Sequence, residues 1–323
     1  MNPTITAVAG LEAGHYTDRA NATGCTVFLC REGAVGGVDV RGGSPGTRET
    51  DLLRPMNRVE GVHAVVLSGG SAFGLDAASG VLSYLAEQEI GLRVGPSIVP
   101  IVSSAILFDL NLISQVHPTA EHGALAARQA NDAPMPEGTV GAGTGATVGK
   151  AQGLDRAVKG GIGSASLMLP DGSTVASAVA VNAYGGVFDY RSAKTLAGPR
   201  KAQGSGMWDT VELLLQGASG TDAPALSNTT IGVVATDAAL TREEANYLAR
   251  VSHNGLAMTI RPCHTMRDGD TMFALATGQA DSTGDITILG AAAVEVTAQA
   301  VLRAIETATG LGGVPSVSEL SLD

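Results

Sequence analysis

Short apolar runs alternate with glycine-rich turns and with longer stretches of helical period along most of the chain, the rhythm of an α/β protein. In VHAVVLSGGSAFGLDAASGVLSYLAEQ the run Val62 to Leu67 predicts a strand, the glycines a turn, and the spacing beyond them a helix from about Phe73 to Gln88. TTIGVVATDAALTREEANYLARVSHNGLA repeats the unit. Its strand ends near Thr236, and Thr241 with Glu244 makes a capping box that opens a helix, which Asn254 and Gly255 are expected to stop after His253. A third long helix is expected over LGAAAVEVTAQAVLRAIETATG, ended by Gly310. TVASAVAVN and TMFALAT read as buried strands. Residues 197–227, rich in Gly, Ser, Pro and Ala around one short helix near Trp208 to Leu215, break the rhythm and read as a mobile, accessible connection that ends at Asn228.

Composition narrows this picture. With 44% hydrophobic but only 3% aromatic residues, the core must be Ala, Val, Leu and Ile packed closely, while 43 glycines supply tight turns and backbone approaches. One body spanning residues 1–323 is expected. The net charge of −11, with 20 scattered basic residues, argues against a nucleic-acid groove or an anionic membrane surface and leaves a small molecule or peptide as partner. Cys25, Cys30 and Cys263 have no paired spacing and read as reduced thiols of a cytoplasmic protein. The first residues lack a basic stretch followed by an apolar one, so no export signal is expected. No apolar stretch reaches membrane-spanning length without glycine or polar interruption.

Three motifs fail on their spacing. GAGTGATVGKA suggests a phosphate loop, but Ala151 follows Lys150 where Ser or Thr is required, and Thr144 stands in place of the first glycine. In GGSAFG the glycine after Ser71 comes one residue too late for a nucleophile elbow, so a strand-to-helix turn is expected. The six His are dispersed with no ligand pair, so neither metal nor cofactor is expected; His264 and Cys263 read as packing or hydrogen-bonding residues.

The Asn228–Thr229 step and the acidic turn HTMRDGDTMF remain. Asn and Thr before a strand are ordinary punctuation. A cut between them, however, would give Thr229 a free amine with a pKa of roughly 7.7 to 8, able to take the proton of its own hydroxyl. The chain can make that cut itself: the Thr229 hydroxyl attacks the Asn228 carbonyl and water opens the resulting ester, helped by strain in residues 216–228.

TGCTVFLC, DVRGGSPGTRETDLL, VVLSGGSAFGLDAASGV, GTGATVGK, AVAVNAYGGVFD, NTTIGVVATDAALTREE and HTMRDGDTMFA, in that order over most of the chain, resemble the blocks of a known family. It is the P1 family of N-terminal-nucleophile-like hydrolases, also called the DmpA or S58 family. It contains L-aminopeptidase/D-esterases, β-peptidyl aminopeptidases and nylon-oligomer endohydrolases, and the last branch is nearest in motif. The resemblance implies a four-layer αββα sandwich of the Ntn-hydrolase-like type, shared with ornithine acetyltransferases. It implies an autoprocessing amide hydrolase or aminopeptidase, cut into 1–228 and 229–323 and forming a homo-oligomer of four or more copies. Thr229 matches the family's N-terminal nucleophile and Asn228 becomes the new C-terminus. Lys150 and Asn182 match residues that stabilise charge on the substrate carbonyl, and Asp268 and Asp270 match the carboxylates that hold the nucleophile and its amine. Phe108 stands on the substrate side where a Tyr is expected. The implied substrates are short peptides, β-peptides and ω-amino-acid amides or oligomers, with an acyltransferase using the same Thr229 as the alternative. Without the resemblance, Lys150 reads as a surface lysine, Asn182 as a strand-end residue and Asp268-Gly269-Asp270 as a tight turn.

Overall fold

A computed structural model describes residues 2–59, 61–202, 206–218 and 228–320. Nine of its strands form one mixed sheet: β1 (Glu12–Asp18), β2 (Thr23–Val40), β3 (Thr47–Arg48), β4 (Gly61–Ser68), β5 (Val102–Ile106), β6 (Gly161–Met168), β7 (Thr174–Asn182), β8 (Thr229–Thr236) and β9 (Thr271–Ala276). Their order is β6-β7-β8-β9-β2-β4-β5-β3, with β1 also on β2. The β8–β9 and β4–β5 pairs are parallel and the others antiparallel. The helices are α1 (Ala77–Glu87), α2 (Ala120–Gln129), α3 (Thr210–Leu215), α4 (Arg242–Thr259) and α5 (Ile286–Glu306).

Strand β2 is long enough to serve two halves of this sheet. Its first part pairs with β1 and β4, its last part with β9, and the register against β4 slips between Leu29 and Ala34. Such a slip bends a strand and lets the sheet turn over on itself. Alternate residues of both halves then meet: Phe28, Val65, Leu67 and Ala105 from one, and Ala176, Ala178, Ala180, Ile231, Val233, Phe273 and Leu275 from the other, share one central cluster. The small alanines of β7 let the halves come close. On the outer faces, Val27, Leu29, Ala64 and Val66 pack with α1 and α2, while Val175, Val179, Val181, Val234 and Ala274 pack beneath α4 and α5. The layers therefore run helix, half-sheet, half-sheet, helix, the expected αββα order. Each fully buried Val, Leu or Ile contributes roughly 1.5 to 3 kcal/mol, so the alternation in each strand fixes which face meets which layer.

Several predicted boundaries move. The helix expected from Phe73 begins as a 3₁₀ turn, Ser71–Asp76, and becomes α-helical only at Ala77. The turn before it is left-handed at Gly70 and Ser71, the tight strand-to-helix turn that GGSAFG predicted. The Thr241–Glu244 capping box is present, with Thr241 N donating to Glu244 Oε2 at 2.8 Å and Glu244 N to Thr241 Oγ1 at 3.3 Å. Its helix does not stop at Asn254 and Gly255 but runs to Thr259. Helix α5 ends at Glu306, short of Gly310. It is long and apolar enough to cross a membrane, but 67% of its most apolar 18 residues are buried within this molecule, where it forms the core of the outer layer. Of the connection 197–227, residues 203–205 and 219–227 lie outside the described residues, as does most of the segment expected to be strained. Its described parts are tied down, with Arg200 N donating to Arg156 O at 2.8 Å and Thr210 Oγ1 accepting from Gly186 N at 3.1 Å.

Candidate active site

Thr229 is the first residue of β8, on the same face as Ile231 and Val233, so its side chain belongs to the central layer. Directly opposite it in the β7–β8 register stands Asn182, on the face of Ala178 and Ala180. Both side chains therefore meet at one end of that layer, and both are buried.

Asn182 gathers the neighbouring segments. Its Nδ2 donates to the Phe108 carbonyl at 3.0 Å, just beyond β5 of the other half-sheet. Its Oδ1 accepts from Thr147 N at 3.0 Å and from Lys150 Nζ at 2.9 Å, and Lys150 Nζ also donates to the Asn182 carbonyl at 3.0 Å. Lys150 is turned inward because Gly149 is left-handed at φ 69° and the backbone of 149 and 150 is hydrogen-bonded to the Gly185 and Tyr184 carbonyls. Only 2% of it is exposed. Burial pushes its ammonium down to about 7, against the pull of Asp268 and Asp109. Behind this loop Lys159, also fully buried, donates to the carbonyls of Gly143, Ala146 and Gly160 at 3.1, 2.6 and 2.9 Å and braces the segment that carries Thr147 and Lys150.

The Asn228–Thr229 peptide is held from the other side. Asn228 bridges Asp268 in parallel fashion, and its carbonyl accepts from Gly269 N at 3.0 Å and from Thr229 Oγ1 at 2.5 Å. A Cβ at position 269 would lie 2.8 Å from Thr229 Oγ1 and 2.6 Å from the Ser44 carbonyl, so this approach requires glycine. Asp270 Oδ1 accepts from Thr230 N at 2.7 Å, and its Oδ2 from His264 N at 2.9 Å and His264 Nδ1 at 2.8 Å. Asp268 accepts from Thr265 N at 3.0 Å, Thr265 Oγ1 at 2.5 Å and Tyr184 N at 3.3 Å. Burial, and after it the charge of Asp270, raise the pKa of Asp268 above the ordinary carboxylate value, with the bonds from Thr265 and Tyr184 opposing.

The candidate site residues named from the sequence thus lie in one place: Lys150, Asn182, Asp268 and Asp270 by their side chains, Asn228 and Thr229 by the peptide between them, and Phe108 by its carbonyl, its half-buried phenyl ring having no polar atom to offer. Lys150 is no surface lysine and Asp268-Gly269-Asp270 no solvent turn. Sequence reasoning missed Thr147, Tyr184 and the Gly269 amide, and read His264 as a packing or hydrogen-bonding residue, which its bonds to Asp270 bear out without the sequence having placed it at the site. The Gly269 amide is a backbone donor and leaves no mark on a sequence beyond the glycine itself. A hydroxyl this close to a carbonyl whose oxygen also accepts from a backbone amide is the kind of arrangement that nucleophilic attack with stabilisation of the developing charge would require. Among the described residues no group of His, Cys, Asp or Glu is clustered to hold a metal ion.

The family model described as peptidase family S58 matches residues 3–317. A Mycobacterium leprae protein named as an uncharacterized aminopeptidase is 42% identical over 97% of this chain and 92% of its own length. The 6-aminohexanoate-oligomer endohydrolase of an Agromyces species is 33% identical over 90% of this chain and 82% of its own. Among solved structures, the L-aminopeptidase D-Ala-esterase/amidase of Ochrobactrum anthropi, a variant of the Ntn hydrolase fold, matches with a TM-score of 0.71 at 20% identity, over 97% of this chain and 88% of its own. A Burkholderia β-aminopeptidase matches with a TM-score of 0.69 at 22% identity, over 98% and 90%. These two likenesses establish the fold as that Ntn-hydrolase variant.

Proposed function

The chain belongs to peptidase family S58, and from that premise we propose that it is a peptide and amide hydrolase that makes its own nucleophile by cutting between Asn228 and Thr229. The observation that carries the proposal is the scissile peptide, where Thr229 Oγ1 lies 2.5 Å and Gly269 N 3.0 Å from the same Asn228 oxygen. In the first step Oγ attacks the Asn228 carbonyl carbon, the oxygen takes up charge under the Gly269 amide, and the C–N bond breaks as the nitrogen takes the hydroxyl proton. Water then opens the ester, leaving a carboxylate on Asn228 and a free amine and hydroxyl on Thr229.

Turnover reuses the same atoms. The Thr229 amine takes the Oγ proton as Oγ attacks a substrate amide and gives it to the departing amine, and water then cleaves the acyl ester on Oγ, releasing the acid and restoring the hydroxyl. Lys150, with Asn182 behind it, stabilises the carbonyl oxygen. Asp270 holds the backbone next to the nucleophile, and Asp268 faces the new amine. Short peptides and β- or ω-amino-acid amides fit this reading, since the relatives include an aminopeptidase and a 6-aminohexanoate-oligomer endohydrolase by name.

The test is the intact mass of the purified protein in denaturant beside Thr229→Ala. Two fragments are expected for the wild type, the lighter beginning at Thr229, and one full-length mass for the variant. A single full-length wild-type mass after prolonged incubation at neutral pH sinks the proposal.

A further inference from the structure

His264 has a backbone that needs explaining. Its φ is +55°, a left-handed conformation that a residue other than glycine keeps only where its surroundings hold it. The result is that its own N–H and its ring Nδ1 both reach one oxygen, Asp270 Oδ2, at 2.9 and 2.8 Å. The other oxygen of the same carboxylate takes the amide of Thr230 at 2.7 Å. Asp270 is therefore a two-sided link, with His264 at one end and the peptide that carries Thr229 at the other.

We propose that His264 is a positioning residue of this site: as an imidazolium it fixes Asp270, and Asp270 fixes the Thr229–Thr230 peptide so that Oγ1 stays on the Asn228 carbonyl. The inference rests on the reading of Thr229 as the nucleophile.

The Asp270 side of the ring favours its charged form, while its Nε2 is buried with no hydrogen-bond partner among the described residues. From its own segment it faces Asp270, with Cys263 alongside and Asp268 two residues ahead of Asp270 in the chain. From α4 the His253 ring meets it edge to face, with centroids 4.8 Å apart. Beyond His253 stand Asp39 and Arg41 at the end of β2, where His253 Nε2 meets the Asp39 carbonyl at 3.0 Å. A carbonyl can only accept, so Nε2 carries the His253 proton and Nδ1 is an acceptor. Burial works against charge on His264, but the bond from Asp270, with Cys263 and their charges, outweighs it and pushes the ring up to about 10. Burial pushes His253 down to about 4, which keeps the second ring neutral beside the first. A raised pKa means that the coupling is complete below the ordinary 6.5 and is lost as pH rises through about 10.

The experiment follows the imidazole nitrogens of ¹⁵N-histidine-labelled protein by NMR through a pH titration, with His264 assigned from its absence in His264→Asn. Asn tolerates the left-handed backbone and keeps a side-chain N–H, so that variant removes the charge and the ring's contact with His253 while leaving the backbone turn allowed, and the pH dependence of the effect reports the charge. The expected result is one imidazole still doubly protonated at about pH 9, and in Asp270→Asn, where burial is no longer opposed by that carboxylate, the same ring loses its second proton no higher than about the ordinary 6.5. In His264→Asn, cleavage at Asn228–Thr229 is expected to slow by about tenfold at neutral pH, with the gap to wild type closing as the pH approaches about 10. Six imidazoles that all lose their second proton below about pH 8 overturn the inference. So does a His264→Asn variant that cleaves at the wild-type rate across that range. A wild type that never cleaves would overturn the nucleophile reading instead, and the titration with Asp270→Asn still decides the ion pair.

Discussion

A charged amine stripped of water interacts strongly with a developing oxyanion, but the same dry setting makes the charge hard to keep. Lys150 shows both sides, since its Nζ lies on Asn182 and burial holds its pKa down at about 7. As a charged donor it acts only below that value, so the alkaline limb of the rate profile is expected near pH 7 and to vanish in Lys150→Met, along with roughly 10² to 10³ in kcat. Met fills much of the same space without a buried charge, so the variant is expected to fold. The sign of the stability effect follows from linkage. With a folded pKa of about 7 against an ordinary value of 10.5, the unfolded state binds the extra proton between them, and stability rises with pH across that window. The excess melting temperature of Lys150→Met over wild type, largest below pH 7, should therefore shrink toward pH 10; a constant difference would mean that Lys150 titrates normally. In the sequence this residue was visible only through the order of family blocks. What turns it inward is the left-handed Gly149 and the carbonyls of Tyr184 and Gly185, which are distant in sequence. His264 was legible only as a packing or hydrogen-bonding residue for a related reason, because its particular bond to Asp270 depends on a positive φ that no pattern of polar residues announces.

At the level of elements, strands were more legible than helix ends. TVASAVAVN is β7 residue for residue, and TMFALAT differs from β9 only by its last Thr, because small and β-branched residues in alternation fit two buried faces. Gly255 was misread as a stop. It lies inside α4, where a Cβ would fall 2.5 Å from the Val294 carbonyl and 2.9 Å from Ala298 N of α5, so its smallness serves contact between helices. Alanine in a helix interior normally gains about 1 kcal/mol over glycine. Here the clash is with backbone, which cannot rotate away, and Gly255→Ala is expected to lose about 1 to 3 kcal/mol net. The urea midpoint with an unchanged m-value measures this. A higher midpoint would show that α5 shifts freely over α4 and that the close approach is not required.

The whole molecule sets the consequence of cutting it. The proposed cut falls at the start of β8, which is flanked by β7 from the first fragment along eight register pairs, Val175↔Thr236 to Asn182↔Thr229. Its other neighbour β9, from the second fragment, pairs in turn with β2 from the first. The second fragment thus supplies two central strands and the α4–α5 layer, and every cluster but the one beneath α1 and α2 holds residues from both sides of the cut. Breaking one peptide removes none of these contacts and frees only two chain ends. The cleaved protein is therefore expected to elute as one particle containing both fragments in native size-exclusion chromatography, to separate only in denaturant, and, like Thr229→Ala, to unfold in a single transition. Fragments that part in buffer would mean that the shared sheet contributes less than its burial implies. Residues 1–228 expressed alone test the same argument from the other direction: β7 and β2 would each lose a neighbour and expose a long apolar edge, so this fragment should aggregate where the cleaved pair stays dissolved.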